Sequence, residues 1–233
     1  MIIIDKLSFF KYERLDIAWN EIFVDKIMPF FFPNTDEELI FIEVGSLHGR
    51  DTVYFKNKYK NSVCHCIEGL KANYDKYLKN LKETNLYPHN ICIASYDGII
   101  TYHEKNGLES GIHGIYNRGN SYGTTTHQYN CIKFTTFCNN NNIQQIDAIK
   151  IDVEGATYDI LYDMEESKLL ENVKILHLET ENYPYFEGQK LDSECCKILE
   201  NNNFECLMKT GFKPTVDGFQ YDSVWINKRY LEI

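Results

Sequence analysis

An apolar run, Leu39-Ile40-Phe41-Ile42, breaks into Glu43-Val44-Gly45-Ser46-Leu47-His48-Gly49-Arg50-Asp51, and no other stretch limits the fold as tightly. The run reads as a buried strand, the glycines as a tight turn, and Thr52 to Lys60 as the helix that follows. Gly45 admits a positive φ or a close backbone approach that a side chain forbids, and Gly49 lets the helix start lie against the strand or a ligand. Later in the chain, Ile149-Lys150-Ile151-Asp152-Val153-Glu154-Gly155 repeats the sequence of strand, acid and glycine.

Three nucleotide-site patterns use a strand, a glycine turn and a helix, and spacing separates them. A P-loop requires Gly-Lys-Ser/Thr, but Arg50 and Asp51 follow Gly49. A dinucleotide turn requires glycine at its third place, where Leu47 stands. The acids Glu43 and Asp51 also disfavour a phosphate. A turn for a nucleoside-like ligand that is cationic and lacks phosphates remains, and S-adenosylmethionine has that chemistry. The bland alternative is an ordinary strand-to-helix turn of an α/β protein.

A chain of 233 residues buries one sizeable core. We expect a helical cap over residues 1–36 and one main domain over 37–233. The formal charge of −10 disfavours nucleic-acid backbones and acidic membranes as partners. Met1-Ile2-Ile3-Ile4 is too short an apolar run for a signal peptide or a span, and no later segment is long enough, so a soluble, cytoplasmic protein without membrane insertion is expected. The eight cysteines form no pair of CxxC clusters, so buried thiols are expected and no structural metal.

In chain order, Phe9, Phe10, Tyr12, Trp19, Phe23 and Phe30 to Phe32 belong to the cap. Leu15, Ile17, Ile22, Phe23, Ile27 and Met28 have the spacing of short amphipathic helices stopped by Pro29 and Pro33. The cap's aromatics are read as packing, with substrate gating or a homodimer contact as the alternative. Ser62 to Ile67 reads as a second strand ending at Glu68-Gly69. An acid at that phase from the glycine turn is where a doubly wound fold accepts hydrogen bonds from ribose hydroxyls. Asn73 to Glu83 is a surface helix, Ile91 to Ala94 a third strand, and Ile99 to His103 the return of a hairpin. Residues 105–130 are polar and glycine-spotted, which predicts a substrate-side lid carrying His113, Arg118 and His127. Cys131 to Phe134 reads as an edge strand, Thr135 to Asn141 as a helix and Ile146 to Asp152 as the fourth central strand.

Alternation puts Lys150, Asp152 and Glu154 on one side of that strand end, where open α/β sheets bind ligands. Val173 to Glu179 is a fifth strand with His177 and Glu179 on one face, read as a core histidine paired with a carboxylate, or as catalytic groups. Ser193 to Asn201 is a helix, and Phe204 to Lys209 with Ser223 to Asn227 form a closing hairpin around a loop, Gly211 to Tyr221.

The ordered set Glu43 to Gly49, Ile67-Glu68-Gly69, Ile93 to Gly98, Thr135/Thr136-Phe137 and Ile149 to Ala156 resembles the motifs of FkbM-type S-adenosylmethionine-dependent methyltransferases, over roughly residues 39 to 227. The resemblance implies a class I methyltransferase fold: an α/β, Rossmann-like seven-stranded sheet with helices on both faces and an antiparallel last strand. It implies O-methylation, frequently of a sugar hydroxyl, so the expected partner is a sugar or glycan acceptor. Carried over by residue, Gly45, Ser46 and Gly49 line the cofactor turn, and Glu68 holds the ribose. Ser95 with its neighbour Ala94 edges the adenine, and Asp152 lies near the methionine end. Glu43, Leu47, Asp51, Gly69 and Leu70 complete the expected cofactor-binding set. Leu47 replaces an Asn often found in the turn, and Thr157 replaces the acid that often follows Gly-Ala.

The catalytic candidates are Asp152 as base or acceptor-orienting residue, then Glu154, His177 and Lys150. A divalent metal held by Asp152 and Glu179 is an alternative for which the sequence offers no third ligand. An RNA cap 2′-O-methyltransferase and a non-catalytic cofactor-binding module are the competing functions; Lys150 and Asp152 alone do not supply the Lys-Asp-Lys-Glu tetrad that the cap reading wants.

Overall fold

A computed structural model of the chain describes residues 20–105, 111–117, 124–212 and 218–231. Ten strands, β1 (Ile40–Val44), β2 (Val63–Ile67), β3 (Leu86–His89), β4 (Cys92–Ile93), β5 (Gly98–Lys105), β6 (Thr124–Ile132), β7 (Ile146–Ile151), β8 (Val173–Glu181), β9 (Phe204–Phe212) and β10 (Gln220–Asn227), form two sheets among these residues. The larger has seven strands in the order β3-β2-β1-β7-β8-β10-β9, and the smaller is β4-β6-β5. Strands β1, β2, β3, β7 and β8 pair in parallel, while β10 runs antiparallel to both β8 and β9. This is the class I methyltransferase architecture.

The order reverses between β1 and β7, and open α/β sheets bind ligands beyond the strand ends at such a switch point. The two motifs therefore meet because of topology: Glu43 lies beside Lys150 in the β1–β7 register, and Lys150 lies beside His177 in the β7–β8 register. The central strands are almost continuously buried, as parallel strands covered on both faces must be.

Helices α1 (Arg50–Lys58), α2 (Phe134–Asn140), α3 (Thr157–Glu166) and α4 (Asp192–Asn201) supply that cover. On one face, Phe55 and Tyr59 join Phe23, Ile27 and Met28 of the N-terminal segment over Phe41, Ala148, Ile175 and Val224. On the other, Phe137, Ile160, Met164, Ile198 and Leu199 pack on Ile42, Ile149, Ile151, Leu176 and Trp225.

Several expectations change. The third strand of the main sheet is Leu86–His89, not Ile91 to Ala94; β3 lies at the sheet edge, where Pro88 is tolerated. Cys92–Ile93 joins the small sheet instead, in parallel with β6. The end of the polar stretch expected as a lid is strand: β6 begins at Thr124 and pairs antiparallel with β5 along its length. Its side chains face water on one side, so it lacks an apolar signature. Helix α3 follows the second motif with no prior expectation. Pro29 does not stop the helix: the segment Asn20–Ile27 runs directly into Met28–Phe31, and the helical stretch ends there, before Pro33. β9 reaches Phe212 and β10 begins at Gln220, which shortens the expected loop between them. Phe9, Phe10, Tyr12, Leu15, Ile17, Trp19 and Arg118 lie outside the described residues. All eight cysteines are thiols, six of them buried, as expected of a chain without a cysteine framework. No helix among the described residues is long and apolar enough to cross a membrane.

Candidate active site

Val44 ends β1, and the turn that follows is built by two left-handed glycines, Gly45 at φ 87° and Gly49 at φ 65°, with Leu47 between them at φ 46°. At Gly45 the requirement is absolute, because a Cβ there would overlap the carbonyl oxygen of Asp152. The first motif thus lies directly on the backbone of the second, which is fixed in turn by the Asp152 N–H donating to the Val44 carbonyl at 2.9 Å. Gly49 faces Leu78 and starts α1, so its space serves packing against the following helix and not a ligand.

A cavity of about 200 Å³ opens beyond these strand ends. It extends from Glu68 after β2, past Gly45 and Leu47, to Asp152, Glu154 and Glu179 at the ends of β7 and β8. Three strand spacings separate its extremes, roughly 14 Å.

Glu68 is buried, and its two carboxylate oxygens accept from the N–H groups of Leu47 and Leu70, both at 2.8 Å. It therefore holds the strained turn and still borders the cavity with lone pairs to spare. Burial raises its pKa, and the Leu70 and Leu47 hydrogen bonds oppose that.

Of the residues expected to bind cofactor, Gly45, Leu47, Glu68, Gly69 and Asp152 line the cavity. Others do not. Glu43 lies beneath the turn, where the Thr52 backbone N–H (3.1 Å) and hydroxyl donate to its carboxylate and Lys150 Nζ approaches to 3.8 Å. Ser46 donates to the Glu43 carbonyl at 3.0 Å. Asp51 accepts from Lys150 at 2.6 Å. Leu70 and Ala94 belong to a small apolar cluster with Cys92 and Tyr102, and Ser95 is exposed. Next to them, Ile91, Cys92 and Ile93 line the cavity, the last two paired with β6.

Among the catalytic candidates, Asp152 and Glu154 line the cavity, whereas Lys150 and His177 do not. Lys150 is buried under them, 2.6 Å from Asp51, 3.4 Å from Asp152 and 3.8 Å from Glu43. Burial alone would lower its pKa; the carboxylates of Asp152, Glu43 and Asp51 overcome that and hold it above the ordinary value. It is a structural cation that ties α1 to the strand ends. His177 is buried beneath Phe23, with ring centroids 5.6 Å apart, and its Nε2 is 3.6 Å from Asp222, not beside Glu179 as expected. Burial, with Lys150 nearby, holds it far below its usual pKa, so it stays neutral.

Glu154 reaches the cavity by a route that alternation does not foresee. β7 ends at Ile151, Val153 itself lines the cavity, and Glu154 stands in a turn at φ 51° followed by Gly155 at φ 90°. Sequence reasoning passed over Asn73, Tyr102 and Gly111 as lining residues. His113, expected on a lid, does line the cavity, and its Nδ1 accepts from the Lys105 N–H at 3.0 Å. Gly111 packs on Leu47, and Gly114 packs on the Glu154 backbone, so the described part of that segment covers both motifs. His127 lies away from the cavity, on β6, 2.6 Å from Glu104.

Strand order, switch-point cavity and glycine turn together define a class I methyltransferase. Residues 43–206 match the model of the methyltransferase FkbM domain. The chain belongs to that family of enzymes, and S-adenosylmethionine is its methyl donor. No curated protein matches it significantly. Solved structures with a similar fold include M. capricolum TrmK in complex with S-adenosyl-homocysteine, at 11% identity over 91% of this chain and 69% of that one, TM-score 0.48. Another is precorrin-6y C5,15-methyltransferase from Geobacter metallireducens, at 12% identity over 94% of both chains, TM-score 0.47. The strand order and the family match carry the assignment, not these distant likenesses.

Proposed function

We propose that this enzyme transfers the methyl group of S-adenosylmethionine to a hydroxyl of a sugar or glycan. Adenosine would lie between Glu68 and the Ile91-Cys92-Ile93 wall, with Glu68 accepting from the ribose, and the sulfonium end toward Asp152. The observation that carries the reading is the acidic acceptor end: Asp152, Glu154 and Glu179 border one cavity. Carboxylates there accept hydrogen bonds from a neutral polyol and repel a phosphodiester.

The donor methyl is already activated, so the protein's work is alignment and proton removal. The acceptor oxygen bonds the methyl carbon as the carbon–sulfur bond breaks, its electron pair passing to sulfur, and the hydroxyl proton passes to Asp152. Lys150, 3.4 Å from Asp152, sets its position. Incubation with methyl-labelled donor and separate pools of glycans, nucleotide sugars and capped RNA tests the reading. Label in a sugar pool is expected; label confined to RNA overturns it.

A further inference from the structure

Beyond Asp152, the end of β8 brings more carboxylates into the site than proton removal needs. One carboxylate oxygen from each of Glu154, Glu179 and Glu181 lies within 4.8 Å of the others. Glu179 and Glu181 stand two apart on β8 and so share a face, while the left-handed turn at Glu154 aims a third acid at the same point. Glu154 and Glu181 are buried. Glu179 Oε1 is buried too, borders the cavity, and accepts no hydrogen bond among the described residues. A buried acceptor without a donor costs about 1–3 kcal/mol, and an ionised one more.

The nearby cation, Lys150, is in contact with Glu43, Asp51 and Asp152. Gln189 donates to Glu181 and fixes its orientation, as outer groups orient the ligands of a metal.

We propose that Glu154, Glu179 and Glu181 hold one hard divalent cation, Mg²⁺ or Mn²⁺, at the acceptor end of the cavity. At a ligand distance of about 2.1 Å, oxygens on neighbouring octahedral positions lie about 3.0 Å apart and opposite ones about 4.2 Å, so the carboxylates close on the ion by up to roughly 1–2 Å. Three carboxylates leave coordination positions facing the cavity, where an acceptor with neighbouring hydroxyls binds and becomes more acidic. That use of the ion rests on the sugar reading; the ion's binding does not.

The test is Mn²⁺ titration of the full chain, followed by the loss of the free-ion paramagnetic resonance signal at about pH 8, since binding displaces protons from the ligands. Titration with S-adenosylhomocysteine is run on the same samples. One Mn²⁺ per chain, displaced by Mg²⁺, is expected, and Glu179→Gln and Glu154→Gln should each weaken it about tenfold or more while homocysteine-product binding stays within a few fold. The wild-type stoichiometry decides the matter even if a variant folds poorly. No saturable Mn²⁺ binding, or binding that both variants retain in full, overturns the proposal. Product binding without Mn²⁺ overturns the cation site alone. Mn²⁺ binding with methyl transfer to RNA only leaves the site standing and removes the sugar acceptor.

Discussion

Replacing Glu68 by Gln separates the two roles of this side chain, holding the turn and holding the ribose. The wild-type carboxylate accepts from two backbone N–H groups, Leu47 and Leu70, both at 2.8 Å. The amide oxygen of Gln can satisfy one of them, and its NH₂ then confronts the other. One buried donor is orphaned, at about 1–3 kcal/mol. Removing a buried charge offsets part of this, since burial is the leading influence on Glu68 and raises its pKa. A net loss of about 1–2 kcal/mol is expected, equal to a fall in melting temperature of roughly 2–8 °C for a chain of this size. Because the folded pKa is raised, the native state binds the proton more tightly than the unfolded state, and wild-type stability falls as pH rises from the ordinary glutamate value toward the raised one. The Gln side chain does not titrate, so the deficit of the variant should be widest on the acid side of that window and narrow as pH rises. Calorimetry with S-adenosylhomocysteine reads the ribose contact, where loss of an acceptor should cost about tenfold or more in affinity. A variant with wild-type melting at every pH and unchanged product affinity would refute both roles.

Gly45→Ala meets the Asp152 carbonyl and must hold φ near 87°, which adds about 1–2 kcal/mol to the overlap itself; circular dichroism melts should fall sharply, with product binding lost. Lys150→Met leaves Glu43, Asp51 and Asp152 without their shared cation, and a loss of about 3–5 kcal/mol in urea unfolding is expected. Asp152→Asn should lower kcat by roughly 10²–10⁴ with product affinity within a few fold; wild-type turnover in that variant would remove Asp152 from the chemistry.

The readable parts of the fold were those that a single physical requirement dictates. Gly45 is legible because only a residue without Cβ can lie on Asp152, and Glu68 because the β2 end falls at a fixed phase from the turn. Glu43 and Asp51 misled because acids near a glycine turn suggest a ligand, whereas here they neutralise a lysine from the neighbouring strand, a contact created by register and not by spacing. Ala94 and Ser95 were displaced by one step because nothing local says that Cys92 and Ile93 leave the main sheet. Glu154 borders the cavity through a left-handed turn and not through strand alternation. A left-handed non-glycine residue has no sequence signature, and the glycine that packs on its backbone, Gly114, comes from a distant segment.

The same acids pose a problem for catalysis that constrains what they do. The sulfonium charge of the donor disappears as the carbon–sulfur bond breaks. A carboxylate about 4 Å from it would favour the ground state by about 4 kcal/mol at an effective dielectric of about 20, and losing that in the transition state would slow transfer by roughly 10³. Asp152, Glu154 and Glu179 are therefore useful only if their charge is directed at the acceptor, its proton or a cation. S-adenosylmethionine and S-adenosylhomocysteine share every group except the methyl and its charge, so their affinity ratio isolates the sulfonium interaction. For Glu179→Gln, that ratio should stay within about threefold of wild type while kcat/KM for the acceptor falls by roughly 10² or more. A selective loss of S-adenosylmethionine affinity would show instead that Glu179 acts on the sulfonium, and acceptor activation would then have to come from Asp152 alone.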